Sequence, residues 1–203
     1  MKLYYAPGAC SLAPHILLKD TQLPHELEKV DLKAHKTQHG DNYYKFNTKG
    51  YVPLLELDNG EMLSEGPVIA QYICDQAGRD DLMPAAGTMA RYRVMEWQNY
   101  ITSELHKSFG PTFNPTLNPE IKAYLVEGLK RKYEWVDTQL QGKPYLTGDN
   151  FTAADAYLFT VTNWAKFIDL DLSAHNNLQD YMARISERPA VQEALKEEGL
   201  LSG

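Results

Sequence analysis

Hydrophobic and polar positions follow two different rhythms along the chain. Lys2 to Tyr5 reads as a short strand closed by Pro7-Gly8, and helical spacing follows from about Ser11 to Asp20. Pro14 dates the start of that helix, because proline fits only the first turn, where the N–H has no helical partner. Glu26 to Leu32 alternates and reads as a second strand. After the polar stretch Lys33 to Gly40, the run Val52-Pro53-Leu54-Leu55-Glu56-Leu57 is a third. Asp58 to Glu61 is a tight turn, and Met62-Leu63 continues as the hairpin partner. Ser64 then caps a helix with Pro67 in its first turn and an apolar stripe of Val68, Ile69, Tyr72 and Ile73.

The order βαβ followed by ββα predicts a small α/β layer of thioredoxin type. Gly78 to Gly87 holds two glycines, a proline and the charged run Arg79-Asp80-Asp81, and reads as a linker. Beyond it only helical periodicity appears: about Thr88 to Phe109, Pro119 to Leu140, Thr152 to Phe167, Leu178 to Glu187 and Pro189 to Glu198. Pro189 stands at a helix start and Gly199 just past its end, the usual asymmetry. The expected organisation is therefore an α/β domain over 1–77, a linker over 78–87 and an all-helical domain over 88–203.

The composition belongs to an ordinary soluble chain: 203 residues, 43% hydrophobic and 23% charged. No N-terminal apolar run reads as a signal peptide, and no stretch of about 18 apolar residues reads as a membrane span. Two cysteines, Cys10 and Cys74, are too few for a secreted disulfide scaffold, which makes a reducing cytoplasm the simplest compartment. Twenty basic against 27 acidic residues leave a net charge of -7, which disfavours nucleic acid and anionic membrane as partners. Any anionic substrate must then be held by local donors. No metal site is expected.

Cys10 stands at a strand-to-helix turn, where unpaired N–H groups favour a thiolate and lower a thiol pKa. The hydroxyl of Ser11 can add a donor. Three residues on lies Ala13, so a dithiol exchange within this motif is unavailable, leaving an external thiol as the partner. On position alone Cys10 reads equally well as a small buried apolar side chain, and Cys74, mid-helix on an apolar stripe, reads as core. Val52-Pro53 by itself is an ordinary trans proline opening an edge strand; a cis bond would instead turn the Val52 N–H and C=O toward an extended peptide ligand. At the next helix start, Glu65 can accept an ammonium group and Gly66 permits close approach to a carboxylate, though a plain capped helix explains both residues.

Together these segments resemble a known pattern. Tyr5-Ala6-Pro7-Gly8-Ala9-Cys10-Ser11, Asn47-Thr48-Lys49-Gly50-Tyr51-Val52-Pro53 and Leu63-Ser64-Glu65-Gly66-Pro67-Val68-Ile69 are similar to the N-terminal domain of bacterial beta-class glutathione transferases. Glu96 to Tyr100, Ser103 to Lys107 and Gly148 to Tyr157 extend the likeness through the helical half, in order over essentially the whole chain. The resemblance implies the cytosolic glutathione transferase architecture: a homodimer of two-domain subunits, with glutathione as co-substrate and no other cofactor. It implies that the Val52 backbone, after a cis Pro53, pairs with the cysteinyl moiety, that Glu65 and the Gly66 N–H hold the γ-glutamyl end, and that Cys10 lies near the glutathione sulfur. The family often carries lysine where this chain has His35, so the donor to the glycyl carboxylate stays open among Lys33, His35 and Lys36. Asn47-Thr48-Lys49-Gly50 departs from the familiar Asn-Pro-Lys-Gly step, a change expected to alter only local turn geometry.

On the helix from Thr88, Asn99, Ser103 and His106 fall at i, i+4 and i+7 on one face, with Val94, Trp97, Ile101 and Leu105 on the other as core. A solvated helix face explains the polar set in isolation. With the resemblance, Asn99, Ser103, His106 and Lys107 become glutathione neighbours, and His106 a donor to the sulfur or a general base. Cys10, Ser11 and His106 are the catalytic candidates, and Phe109, Pro111, Phe113 and Trp164 the candidate pocket for a small electrophile. Thr152-Ala153-Ala154-Asp155 reads as a capping box, which makes Asp155 structural. The predicted activity is transfer of glutathione to electrophilic apolar compounds, with added thiol-disulfide activity through Cys10. The alternatives are a glutathione-dependent disulfide reductase and a non-catalytic binding protein on the same fold.

Overall fold

The computed structural model describes residues 1–201. It divides into two compact units, one made of 1–83 with 187–201 and the other of 84–186. The first unit is built on a five-stranded sheet in the order β3-β2-β1-β4-β5. Its strands are β1 (Lys2–Tyr5), β2 (Glu26–Asp31), β3 (Lys36–Thr37), β4 (Leu54–Glu56) and β5 (Met62–Ser64). β1 runs parallel to β2, with Tyr4 opposite Glu28, and antiparallel to β4, with Leu3 opposite Leu55. β3 lies inside the stretch that reads as polar loop, because two residues are too short for alternation to show.

Helices α1 (Leu12–Thr21) and α2 (Gly66–Gln76) pack on each other, and α1 also packs on α8 (Pro189–Glu197). The last helix therefore belongs by its contacts to the first unit, although sequence periodicity groups it with the helical half. Two features of α2 differ from expectation. Ser64 ends β5, and Glu65 occupies the N-cap with φ of 73° and no side-chain cap bond. The buried stripe is Ile69, Ala70, Ile73 and Cys74, while Val68 is 45% exposed, one residue out of the predicted phase. Cys74 is core. The Val52-Pro53 bond is cis.

The second unit contains α3 (Met89–Tyr100), α4 (Lys107–Phe109), α5 (Pro119–Leu140), α6 (Ala153–Thr162) and α7 (Asn176–Ser186). Between α3 and α4, Ile101–His106 is π-helical, and the Lys107 N–H reaches the Thr102 carbonyl five residues back. Asn118 caps α5 by accepting from the Glu120 and Ile121 N–H groups. The capping box at α6 is present and goes further than the motif. Asp155 is fully buried, accepts from the N–H and hydroxyl of Thr152, and also takes the Leu146 N–H at 2.9 Å and the Tyr181 hydroxyl at 3.0 Å. Its carboxyl is raised above the usual range by burial, against the pull of those donors.

Candidate functional site

In the first unit, the loop between β1 and α1 is set by local bonds. The Ala9 N–H donates to the Ala6 carbonyl and the Leu12 N–H to the Ala9 carbonyl. Ser11 is buried; its hydroxyl donates to the Ala6 carbonyl at 3.3 Å and accepts the Ala6 N–H at 3.1 Å. That hydroxyl is engaged with Ala6, so it does not serve the sulfur, contrary to the expectation from sequence. What Ser11 gives the thiol is its backbone N–H.

Cys10 is a free, half-buried cysteine whose Sγ donates to the Val52 carbonyl at 3.2 Å. Burial pushes its thiol up to about 12, the Cys10 and Ser11 N–H groups oppose this weakly, and the Glu65 charge adds to it. Desolvation thus outweighs the few N–H groups of the turn and favours the neutral thiol, the opposite direction from that expected of helix position. Gly66 lies against the same edge, since a Cβ there would meet Pro53 Cγ at 3.8 Å. Cys10, Val52, Pro53, Glu65 and Gly66 thus form one neighbourhood, as the family resemblance implies.

Lys49 joins this neighbourhood with no signal in the sequence that marks it. Its Nζ sits 2.6 Å from Glu65 Oε1 and 3.0 Å from Ser64 Oγ, occupying the carboxylate expected to take an ammonium group. The Asn47–Gly50 turn that carries it is pinned by Asn47 Nδ2 donating to the Tyr51 carbonyl at 2.7 Å, and Gly50 has φ of 71°. Of the three candidates for a carboxylate donor, Lys33 and Lys36 are exposed. His35 is half-buried at φ of 49° and packs on Tyr44 with ring centroids 4.5 Å apart.

In the second unit, Asn99, Ser103 and Lys107 are exposed, whereas His106 is half-buried. Asn99 lies on α3, while Ser103 and His106 both lie on the π-helical turn. His106 Nδ1 lies 2.6 Å from the Tyr157 hydroxyl, and its ring stands edge-on to Trp164 at 4.8 Å. Phe109, Phe113 and Trp164 close an aromatic cluster with centroid separations of 5.7 to 6.2 Å. Phe113 is 44% exposed, so the cluster has an open side, while Phe109 and Trp164 are interior. Spacing does not mark Tyr157 as the partner of His106: α6 is buried throughout, so nothing in its periodicity singles out one tyrosine. Trp97 is half-buried, packed against half-buried Tyr100 and exposed Trp135, and Gln98 takes the interior position expected of Trp97.

Among the described residues no group of three or more His, Cys, Asp or Glu is placed to hold a metal ion, and no helix is long and apolar enough to cross a membrane.

Comparison with known proteins joins the two units. The family description "Glutathione S-transferase, N-terminal domain" matches residues 8–76, and "Glutathione S-transferase, C-terminal domain" matches residues 100–189. Glutathione S-transferase GstA of Escherichia coli O157:H7 is 43% identical over 200 residues, 98% of this chain and 100% of its own. More distant is the disulfide-bond oxidoreductase YfcG of Escherichia coli K12, 26% identical over 205 residues, 95% of this chain and 93% of its own. The ternary complex of BphK, a bacterial glutathione transferase, superposes with a TM-score of 0.96 at 48% identity, covering 98% of this chain and 100% of that one. A sphingomonad glutathione S-transferase complexed with glutathione, and the beta-class enzyme of Sphingomonas chungbukensis, each give a TM-score of 0.95 at 42% identity over 99% of this chain and 100% of theirs. Matched from end to end by enzymes of one kind, the chain belongs to the glutathione S-transferase family, in its bacterial beta class.

Proposed function

We propose that this transferase adds glutathione to electrophilic apolar compounds and that the tripeptide lies along the Val52 edge. The observation that carries the reading is the Cys10 Sγ to Val52 carbonyl contact at 3.2 Å, which sets a thiol beside a backbone edge and next to Glu65 and Gly66. The Val52 backbone pairs with the cysteinyl moiety. Glu65 and the Gly66 N–H take the γ-glutamyl end, the ammonium replacing Lys49 on the carboxylate. Lys33, His35 or Lys36 takes the glycyl carboxylate. Asn99, Ser103 and Lys107 are glutathione ligands on the family likeness, and the sphingomonad relative binds glutathione in its crystal.

His106 receives the glutathione thiol proton or donates to the thiolate; Tyr157 on Nδ1 fixes the ring for either role. The thiolate attacks the electrophilic carbon, and a leaving group departs with the bonding pair. Phe113, on the open side of the aromatic cluster, forms one wall for that substrate. A cytoplasmic homodimer acting in detoxification is the expected setting. Exposed Tyr51 in the first unit and exposed Met89 and Tyr92 in the second supply apolar surface for self-association. Light scattering on the purified chain should give a dimer mass; a monomer at micromolar concentration would rule the dimer out.

A second reading has its own support, since YfcG is a disulfide-bond oxidoreductase and the Cys10 thiol lies beside the Val52 edge proposed here to hold glutathione. Cys10→Ala separates the two. Disulfide reduction should vanish while conjugation to a chlorinated aromatic acceptor is largely kept, because the resting Cys10 is a thiol and not the activating group. Loss of both activities overturns this division of roles.

A further inference from the structure

The loop that carries Cys10 is clamped from the far end of the chain. Glu198, just past α8, has a side chain with no exposed surface. Its Oε2 accepts the Gly8 N–H at 2.7 Å, and its Oε1 meets His15 Nδ1 at 2.9 Å. His15 is itself fully buried, with Nε2 at 3.1 Å from Glu197 Oε2. Gly8 lies two residues before Cys10 and His15 five after it, so one carboxylate holds both sides of the reactive residue. The position of Glu198 is in turn fixed by the helix end. Its N–H donates to the Ala194 carbonyl, the Gly199 N–H to Lys196 and the Leu200 N–H to Leu195, with Gly199 at φ of 72°. Leu200 lies over Gly8, where an added Cβ would stand 3.6 Å from its methyl group.

A buried carboxylate is costly unless its oxygens are paired, and here each oxygen has its own partner. Cross-helix packing of α1 on α8 does not need that charge, and Glu197 already ties His15 and Lys19 from the protein surface. The feature particular to Glu198 is the bond to Gly8.

We propose that Glu198 is a positioning residue: through Gly8 and His15 it sets the place of the Cys10 thiol against the Val52 edge, and with it the affinity for glutathione. The affinity part rests on the proposed glutathione site; the thiol part does not. The test uses the full chain with Glu198→Ala, Glu198→Gln and Glu197→Ala, following melting by circular dichroism, the rate of Cys10 alkylation by iodoacetamide, and KM and kcat for glutathione. Cys74 is 1% exposed, so mass mapping assigns the native-state label to Cys10.

Glu198→Ala should shift the alkylation rate and raise the glutathione KM by about tenfold each, with a smaller change in kcat, since the group acts on placement. Glu198→Gln keeps an acceptor for the Gly8 N–H and, with the His15 ring proton on Nε2 toward Glu197, an amide donor to Nδ1, so it should stay within about twofold of the parent. Glu197→Ala loses the ties to His15 and Lys19 but not the one to Gly8, and should also stay within about twofold in both readouts. The proposal is overturned if folded Glu198→Ala matches the parent, or if Glu197→Ala reproduces its shifts. Where Glu198→Ala does not fold, Glu198→Asp carries the same test: it keeps the charge, shortens the reach, and should show the same direction of change. If no variant binds glutathione, the alkylation rates alone still decide the clamp.

Discussion

The two units present their functional groups in opposite ways. The first offers backbone and loop groups held at irregular positions: the Val52 carbonyl, the start of α2 at Gly66, Glu65 at φ of 73° and Cys10 ahead of α1. The second offers side chains along one helical run, with His106 turned by a π-helical turn onto Tyr157 and Trp164. Backbone sites tolerate changes of side chain and depend on how the loop is held. Side-chain sites depend on residue identity, and on the packing that fixes a rotamer.

If the second unit depends on a rigid interior, its buried carboxylate is the place to break it. Asp155→Ala should destabilise the chain by about 3–5 kcal/mol, because it leaves buried donors from Leu146, Thr152 and Tyr181 without an acceptor. Chemical denaturation would measure this, and a loss under about 1 kcal/mol would show that those donors find other partners.

Side-chain dependence at the site predicts the next largest effect. His106→Ala should lower kcat for conjugation by about a hundredfold, and Tyr157→Phe by several-fold through loss of the Nδ1 partner. Steady-state kinetics at saturating glutathione read both. Equal losses in the two variants would place the tyrosine itself in the chemistry.

The pH dependence of Cys10 sharpens the first unit's side of the contrast. With its thiol raised to about 12, ligand-free Cys10 is protonated at neutral pH. Its alkylation should therefore climb about tenfold per pH unit between about pH 7 and 10, because only the thiolate reacts. A plateau below about pH 9 would mean that the N–H groups of the turn outweigh burial after all.

Residue order alone determined much of this protein. The strand-helix rhythm of 1–76, the span of α5 and the capping box at Thr152 are legible because turn residues, proline positions and apolar periods are local signals, whereas the neighbourhood of Cys10, Val52, Glu65 and Gly66 follows from the family resemblance. Tertiary structure decided the rest. The 3.6-residue period cannot announce the π turn that carries Ser103 and His106. Helix position at Cys10 suggests a thiolate, yet burial, which depends on what packs around the sulfur, reverses the sign. Glu198 and Gly8 are 190 residues apart, and no local pattern links them. Local sequence encodes elements and their ends; desolvation and long-range partners exist only once the chain has closed on itself.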